Sequence, residues 1–177
     1  MGRKKLIQAA LDKTSLGTCC VTNPFKALNT QGSDKRLSTW GQQSSPKNKT
    51  TTPLISVMQD PALYLQSGSD LVKTGEWAGV CATFACATAS VIAKSKAATT
   101  IELFSFGQSF NGHVYLIVDR DPNSDPAQPG TWGSCLAVDV WYAIQQGHPD
   151  DAVFKPNSPY FTWLANQPKI KLGLRVV

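Results

Sequence analysis

The sequence predicts an α+β domain, because one long apolar helix precedes several short segments with strand-like patterns. Residues 78–95 carry no charge before Lys94 and are apolar nearly all round, which is typical of a buried helix. Residues 100–106 alternate between polar and apolar side chains, and residues 112–119 and 134–140 are short apolar runs. A leading helix followed by a mostly antiparallel sheet makes an α+β domain.

The N-terminal third has a different composition from the rest of the chain. Residues 3–13 predict a short amphipathic helix, but residues 14–53 are rich in Ser, Thr, Asn, Gln, Gly and Lys. Such a segment buries too little apolar surface to offset its ordering entropy. We therefore expect residues 1–53 to be a basic, polar and largely disordered leader, and residues 54–177 to be the folded domain.

The remaining elements follow from local signals. Residues 54–66 indicate a short helix or a turn-rich entry to the domain, and residues 121–133 hold three prolines and two glycines and predict a loop. Ser158 and Pro159 are typical of a helix start and predict a short helix over 158–166. Residues 169–177 alternate strictly and predict a half-exposed final strand.

The positive charge of the chain is concentrated in the leader. Residues 1–53 hold nine of the 17 Lys and Arg residues and two of the 12 acidic residues. Residues 54–177 therefore hold eight basic and ten acidic residues. A slightly acidic domain without a basic stripe argues against nucleic-acid binding by the core. Nucleic-acid binding through the basic leader is the weaker alternative that remains.

The cysteines and the N-terminus indicate no disulfide framework, metal or membrane span. The cysteine count of five is odd, Cys19 and Cys20 are adjacent, and the lack of a Cys-x-x-Cys pair argues against a zinc site. No cofactor is predicted. No apolar run reaches the roughly 18 residues of a transmembrane helix. A myristoylation motif fails because Leu6 stands where Ser or Thr is needed, whereas acylation of the Cys19-Cys20 pair stays open.

A histidine-dependent mechanism has two candidates in this chain. His148 lies in Gln-Gln-Gly-His-Pro-Asp-Asp, a turn sequence that predicts a solvated side chain. His113 opens the apolar run His-Val-Tyr-Leu-Ile-Val, and Gly112 before it allows close approach of another chain or a substrate. We therefore expect His113 to face a cleft.

Cys81 is the candidate nucleophile because it stands at the start of the predicted helix. A thiol attacks as its thiolate, which the unpaired N–H groups and dipole of a helix N-terminus favour. The same N–H groups can line an oxyanion hole. Cys86 lies more than a turn inside the helix and is expected to be core, as a small hydrophobe.

Asp139 is the candidate for orienting the imidazole. It closes the apolar segment Cys-Leu-Ala-Val-Asp-Val-Trp, where a carboxylate is costly unless it has a partner. It also fits an N-cap for residues 140–146, and both roles are compatible. Cys135 shares a strand face with Asp139 and is a weaker rival nucleophile.

These motifs resemble those of the papain-like cysteine hydrolases found among bacterial toxins and injected effectors, a clan that includes the transglutaminase-type core. The resemblance covers roughly residues 75–145, with 32 residues from cysteine to histidine and 26 from histidine to the acid. Its motifs are Gly-x-Cys-x-x-x-Ala, Gly-His before an apolar strand, and apolar-Asp-x-Trp, at Gly79, Cys81, Ala85, Gly112, His113, Val138, Asp139 and Trp141.

The resemblance implies a papain-like core, with the nucleophile helix packed on a mostly antiparallel sheet and a Cys81-His113-Asp139 triad. It implies a secreted effector or toxin that acts as a thiol protease in the cytoplasm of a target cell. The substrate would be a host or competitor protein, and a secretion chaperone or immunity protein is a further expected partner. The leader would then serve secretion. A glutamine deamidase or transglutaminase is the alternative activity.

One departure and one competing class accompany this resemblance. The chain has no convincing Gln-x-x-x-x-x-Cys element, so Gln59, Gln66 and Gln108 are undistinguished candidates for a side-chain oxyanion donor. The competing class is a non-catalytic effector or adaptor that binds a host protein. It predicts that Cys81 is buried and separated from His113.

Overall fold

The computed structural model describes residues 2–21, 59–75, 78–107 and 112–177. Its helices, named in chain order, are α1 (Arg3–Leu11), α2 (Pro61–Thr74), α3 (Cys81–Ser95), α4 (Val140–Gln145) and α5 (Pro159–Ala165). Its strands are β1 (Cys20–Val21), β2 (Ala78–Gly79), β3 (Ile101–Phe106), β4 (His113–Val118), β5 (Leu136–Val138), β6 (Val153–Phe154) and β7 (Lys171–Arg175). Short 3₁₀ turns occupy Leu16–Thr18 and Pro129–Thr131.

The predicted α+β class is confirmed. Strands β3 to β7 form one five-stranded sheet in the order β6-β5-β4-β3-β7, and every neighbouring pair is antiparallel. The β3–β4 pairing runs from Ile101 opposite Val118 to Phe106 opposite His113. His113 is therefore the first residue of β4, the middle strand of the sheet, and it lies at the end of the sheet where β4 begins.

Both faces of the sheet are covered, which explains the continuous apolar run in β4. Leu116 and Val118 belong to a core that includes α3, whereas Tyr115 and Ile117 belong to a mainly aromatic core that includes α5. Successive side chains of a strand point to opposite faces, so a strand buried on both faces is apolar at every position.

Helix α3 is apolar nearly all round because it is enclosed on several sides. It packs against α1, α2, α4 and β4, and its residues from Phe84 to Ile92 are all buried. It ends at the predicted place, where Lys96 takes a left-handed conformation at φ 54°. The helix is thus a central support of the domain, and its first residue, Cys81, is half-buried.

Residues 2–21 belong to the folded unit, which departs from the expectation of a largely disordered leader. The predicted N-terminal helix forms as α1, and Ile7, Leu11 and Leu16 are 0%, 4% and 1% exposed. Strand β1 then pairs in parallel with β2, with Val21 opposite Gly79. Residues 22–53 lie outside the described residues.

Helix α2 is longer than the short element predicted over 54–66. Asp60 caps it, because its Oδ1 accepts hydrogen bonds from the N–H groups of Ala62 and Leu63 at 2.8 and 3.1 Å. The second half of α2 is mostly polar, so apolar periodicity did not predict that the helix continues there.

In the part of the chain that the structure describes, no helix combines the length and apolar character needed to cross a bilayer.

Candidate active site

The three residues selected from the sequence converge at one end of the sheet. Nε2 of His113 lies 2.5 Å from Oδ2 of Asp139. The thiol of Cys81 is a hydrogen-bond partner of the same imidazole. Since Nε2 is engaged by the carboxylate, Nδ1 is the ring nitrogen left for the thiol. A cysteine, a histidine and an acid thus form one continuous line of polar contacts.

Cys81 is placed by the start of α3. The N-cap residue Val80 has no polar side chain, and its carbonyl oxygen accepts from the N–H groups of Thr83 and Phe84 at 3.0 and 3.2 Å. The N–H groups of Cys81 and Ala82 have no acceptor within the helix. Cys81 itself is half-buried. Cys81 is thus the first residue of a helix whose first N–H groups remain free to donate to a hydrogen-bond partner from outside the helix.

Asp139 caps α4 and also contacts the His113 imidazole. Its Oδ1 accepts from the N–H of Tyr142 at 2.9 Å and caps α4, while its Oδ2 contacts His113. Oδ2 also accepts a hydrogen bond from Oη of Tyr160 at 2.7 Å. Asp139 is 3% exposed, so these three contacts offset the cost of burying a carboxylate.

The protonation of His113 is governed by its neighbours. Burial by itself would lower the pKa of His113, but the charge and hydrogen bond of Asp139 and the contact with Cys81 raise it to about 10. A histidine normally titrates near 6.5. The imidazole is therefore protonated at neutral pH, and its Nε2–H donates to Asp139.

Aromatic side chains surround the imidazole. Its ring centroid lies 5.5 Å from that of Phe106, 6.0 Å from Tyr115, 5.1 Å from Trp141 and 6.1 Å from Trp163. Trp141 and Trp163 are half-buried. Apolar surroundings keep water from the His113–Asp139 contact, and a lower local dielectric strengthens the attraction between the two charges. Among these four aromatic residues, Trp141 alone belongs to the motifs of the resemblance.

The rival residues do not share this environment. Cys86 is 3% exposed, its sulfur donates to the carbonyl oxygen of Tyr64 at 3.2 Å, and burial raises its pKa to about 12. Cys135 is fully buried in the aromatic core, where burial raises its pKa to about 11. His148 is exposed in a turn. These placements agree with the interpretations drawn from position along the chain.

No glutamine emerges as an oxyanion donor from the described residues. The amide of Gln66 donates to both carboxylate oxygens of Asp70, at 3.0 and 3.1 Å, on the exposed side of α2. Gln59 is exposed in the turn before α2. Gln108 lies outside the described residues. The first N–H groups of α3 are the donors that the geometry supports.

Sequence reasoning missed Tyr160. It lies on α5, 21 residues after Asp139, and no local pattern links the two positions. The sequence shows a helix start at Ser158-Pro159 followed by two aromatic residues. This pattern indicates that the aromatic side chains are buried, but it does not indicate a contact with a carboxylate. Tertiary packing of α5 against the sheet makes the contact.

Within residues 2–21, 59–75, 78–107 and 112–177, no group of three or more His, Cys, Asp or Glu side chains is arranged to hold a metal ion.

Comparison with known proteins identifies no relative. No protein-family model matches the chain, and neither a curated protein nor a solved structure matches it.

Proposed function

We propose that this protein is a thiol hydrolase that acts on amide bonds in proteins, with a papain-like arrangement of its catalytic residues. Cys81 is the nucleophile, His113 carries the proton and Asp139 orients His113. The observation that carries the proposal is the line of contacts from the Cys81 thiol through the imidazole to the Asp139 carboxylate. These residues are far apart in sequence, and packing alone gives no reason to bring them together.

The acylation step follows from the charges at the site. Cys81 attacks the carbonyl carbon as its thiolate, paired with the protonated His113, and the carbonyl oxygen takes the negative charge next to the first N–H groups of α3. The C–N bond then breaks, and the leaving nitrogen takes the proton that His113 holds at neutral pH. A thioester on Cys81 remains, and His113 becomes neutral.

Water completes the cycle. Neutral His113 accepts a proton from the water as its oxygen attacks the thioester carbon. The C–S bond breaks, a carboxylic acid leaves, and the sulfur returns beside a protonated His113. Asp139 keeps its hydrogen bonds throughout, so it stabilises the imidazolium without exchanging a proton itself.

Peptide-bond cleavage is the activity we place first, and glutamine deamidation follows the same steps. A deamidase releases ammonia where a protease releases a chain terminus, and a transglutaminase replaces the water with an amine. These activities differ in which amide group reaches Cys81 and in whether water or an amine attacks the thioester. Following the resemblance, the proposal extends to a secreted effector whose substrate is a protein in the cytoplasm of a host or competitor cell.

The non-catalytic alternative fits the geometry less well. A protein that binds a partner through other surfaces would use Cys81 and His113 as separate core residues. Instead, Cys81 is half-buried and hydrogen-bonds the imidazole.

A proteome-wide comparison tests the activity. Cell lysate is treated with the wild type, Cys81→Ala or Cys86→Ala, and new protein termini and glutamine-to-glutamate conversions are then measured by mass spectrometry. A protease gives new termini with the wild type and with Cys86→Ala, whose buried thiol is on the same helix. A deamidase gives mass changes without new termini. Identical products from the wild type and Cys81→Ala would refute both.

A further inference from the structure

Tyr160 is the one residue of α5 that bonds the catalytic carboxylate. Its Oη donates to Oδ2 of Asp139 at 2.7 Å, and Nε2 of His113 contacts that same oxygen at 2.5 Å. Tyr160 is 2% exposed. The phenol therefore acts on the oxygen through which Asp139 holds the imidazole, and it does so out of reach of solvent.

We propose that Tyr160 is a positioning residue for the catalytic triad, which holds Oδ2 of Asp139 in line with His113 and shares its negative charge. This inference rests on the proposed function and deepens it.

Hydrogen bonds fix the orientation of the carboxylate at both of its oxygens. The N–H of Tyr142 holds Oδ1 at 2.9 Å, and α4 determines the position of that donor. Tyr160 holds Oδ2. Without Tyr160, Oδ2 keeps only its contact with His113, and the carboxylate can turn about its hydrogen bond at Oδ1. Donors at both oxygens leave one orientation, which is the one that faces His113.

Tyr160 also moderates the attraction between Asp139 and His113. A donor on Oδ2 draws negative charge toward the phenol, so less of it acts on the imidazolium. His113 has to release its proton to the leaving nitrogen during acylation. A carboxylate that holds the proton too strongly opposes that release, and the phenol reduces this opposition.

The phenol is a permanent donor in a fixed position. Burial, followed by the charge of Asp139, raises the pKa of Tyr160 well above its usual value, so the hydroxyl keeps its proton at working pH. Its ring stacks on Phe154 with centroids 4.3 Å apart, and lies 4.9 Å from Tyr142 and 5.3 Å from Trp163. A Phe at position 160 keeps these ring contacts and loses the hydroxyl alone.

The test is a pH titration of the His113 ring by NMR in the wild type, Tyr160→Phe and Tyr142→Phe. The titratable groups around this ring are Asp139 and Cys81, with the phenols of Tyr115 and Tyr160. Tyr160→Phe should move the His113 midpoint upward by about half a pH unit, because the full charge of Oδ2 then acts on the imidazolium. Tyr142→Phe removes a hydroxyl that does not bond Asp139 and should leave the midpoint in place.

A merely structural role gives a different result. It lowers the melting temperature of Tyr160→Phe but leaves the His113 midpoint where it is in the wild type, and that outcome overturns the inference. If Tyr160→Phe does not fold, NMR of the wild type tests the contact between Tyr160 and Asp139 instead. Its Tyr160 hydroxyl proton should exchange slowly with water and show a nuclear Overhauser effect to the His113 Nε2 proton. Rapid exchange without that effect refutes the contact.

The same titration in the Cys81→Ala background separates this inference from the proposed function. The upward shift should persist there, because it depends on Oδ2 and not on the thiol. A chain that hydrolyses nothing can still show the shift, which would contradict the function and support the contact. Loss of hydrolysis in Cys81→Ala, together with an unmoved midpoint in Tyr160→Phe, would support the function and refute the inference.

Discussion

A Cβ added to Gly68 of α2 would lie 2.1 Å from the carbonyl oxygen of Cys86 in α3. No side chain fits at that distance, so the two helices pack backbone against backbone at this point. Gly68 is buried, and nearby the Cys86 sulfur donates to the Tyr64 carbonyl oxygen. The position of the helix that carries Cys81 therefore depends on a glycine in the preceding helix.

Replacing Gly68 with Ala should destabilise the fold. Separation of the two helices should cost about 1–3 kcal/mol, even though Ala gains up to about 1 kcal/mol in helix propensity. Urea unfolding measures the difference. Gly130→Ala is the matched control, because its added Cβ meets nothing within 4 Å and it should leave stability nearly unchanged. A Gly68→Ala variant as stable as the wild type would contradict the close packing.

Ile7→Ala tests whether the N-terminal helix belongs to the folded domain. Ile7 is fully buried against the core, so its truncation should cost about 2–5 kcal/mol. Leu6 stands next to it on α1 and is 44% exposed, so Leu6→Ala should change stability by about 0.5 kcal/mol or less. Thermal unfolding of both variants gives the comparison. Equal, small effects would mean that α1 is only loosely attached.

The stability of the protein should fall on the alkaline side because of His113. Its folded pKa of about 10 lies above its unfolded value near 6.5. The stabilisation from its proton is therefore fully present below about pH 6.5 and is lost as pH rises through about 10. Asp139→Asn keeps an N-cap for α4 but removes the charge, so the alkaline decline should become shallower.

Urea unfolding at a series of pH values measures this decline for both proteins. Because other groups also titrate at high pH, the informative quantity is the difference between the wild type and Asp139→Asn. This difference should shrink as pH approaches 10. A constant difference across the range would show that the charge of Asp139 does not hold the proton on His113.

Iodoacetamide should modify Cys81 before Cys86 and Cys135 at neutral pH. Cys81 is half-buried and contacts a protonated imidazole, whereas burial raises the pKa of Cys86 to about 12 and that of Cys135 to about 11. Peptide mapping by mass spectrometry gives the rate at each site. Replacing His113 with Gln should slow the Cys81 reaction by about tenfold or more. Equal rates at all three sites would argue against an activated thiol.

Glu102 in β3 makes a second buried ion pair, and its removal should be costly. Its carboxylate accepts from Arg120 at 2.8 Å and from Arg175 at 2.8 Å, and the Glu102 and Arg120 side chains are each 2% exposed. Glu102→Gln leaves Arg120 buried without its partner and should cost about 3–5 kcal/mol near pH 7. Arg175 is 54% exposed, so Arg175→Ala should cost about 1 kcal/mol or less.

The same pair predicts sensitivity to acid. Burial alone would raise the pKa of Glu102, but the two arginines lower it below its usual value. The stabilisation is thus present above the unfolded carboxyl pKa and is lost as pH falls through the folded one. Unfolding free energies should show a shallower acid decline for Glu102→Gln than for the wild type. Parallel curves would contradict the assignment.

The local sequence pattern was sufficient to predict an element where that element is apolar on all sides or strictly periodic. The charge-free run of α3 marked a buried helix up to Lys94, and the alternation of residues 169–177 marked β7, whose side chains alternate between exposed and half-buried. Pattern failed for α2 because its second half is mostly polar, and helical periodicity cannot be recognised where few residues are apolar. It predicted the helix α1 but not the burial of Ile7, Leu11 and Leu16 in the core.

The sequence by itself determined the α+β class, the position of Cys81 at a helix start and the exposed turn around His148, because chain-local rules govern these features. Only the tertiary structure decided that Cys81, His113 and Asp139 meet, and that Tyr160 bonds the carboxylate. Such contacts join residues from separate elements, and their distances depend on how helices and sheet pack. No spacing along the chain encodes that packing.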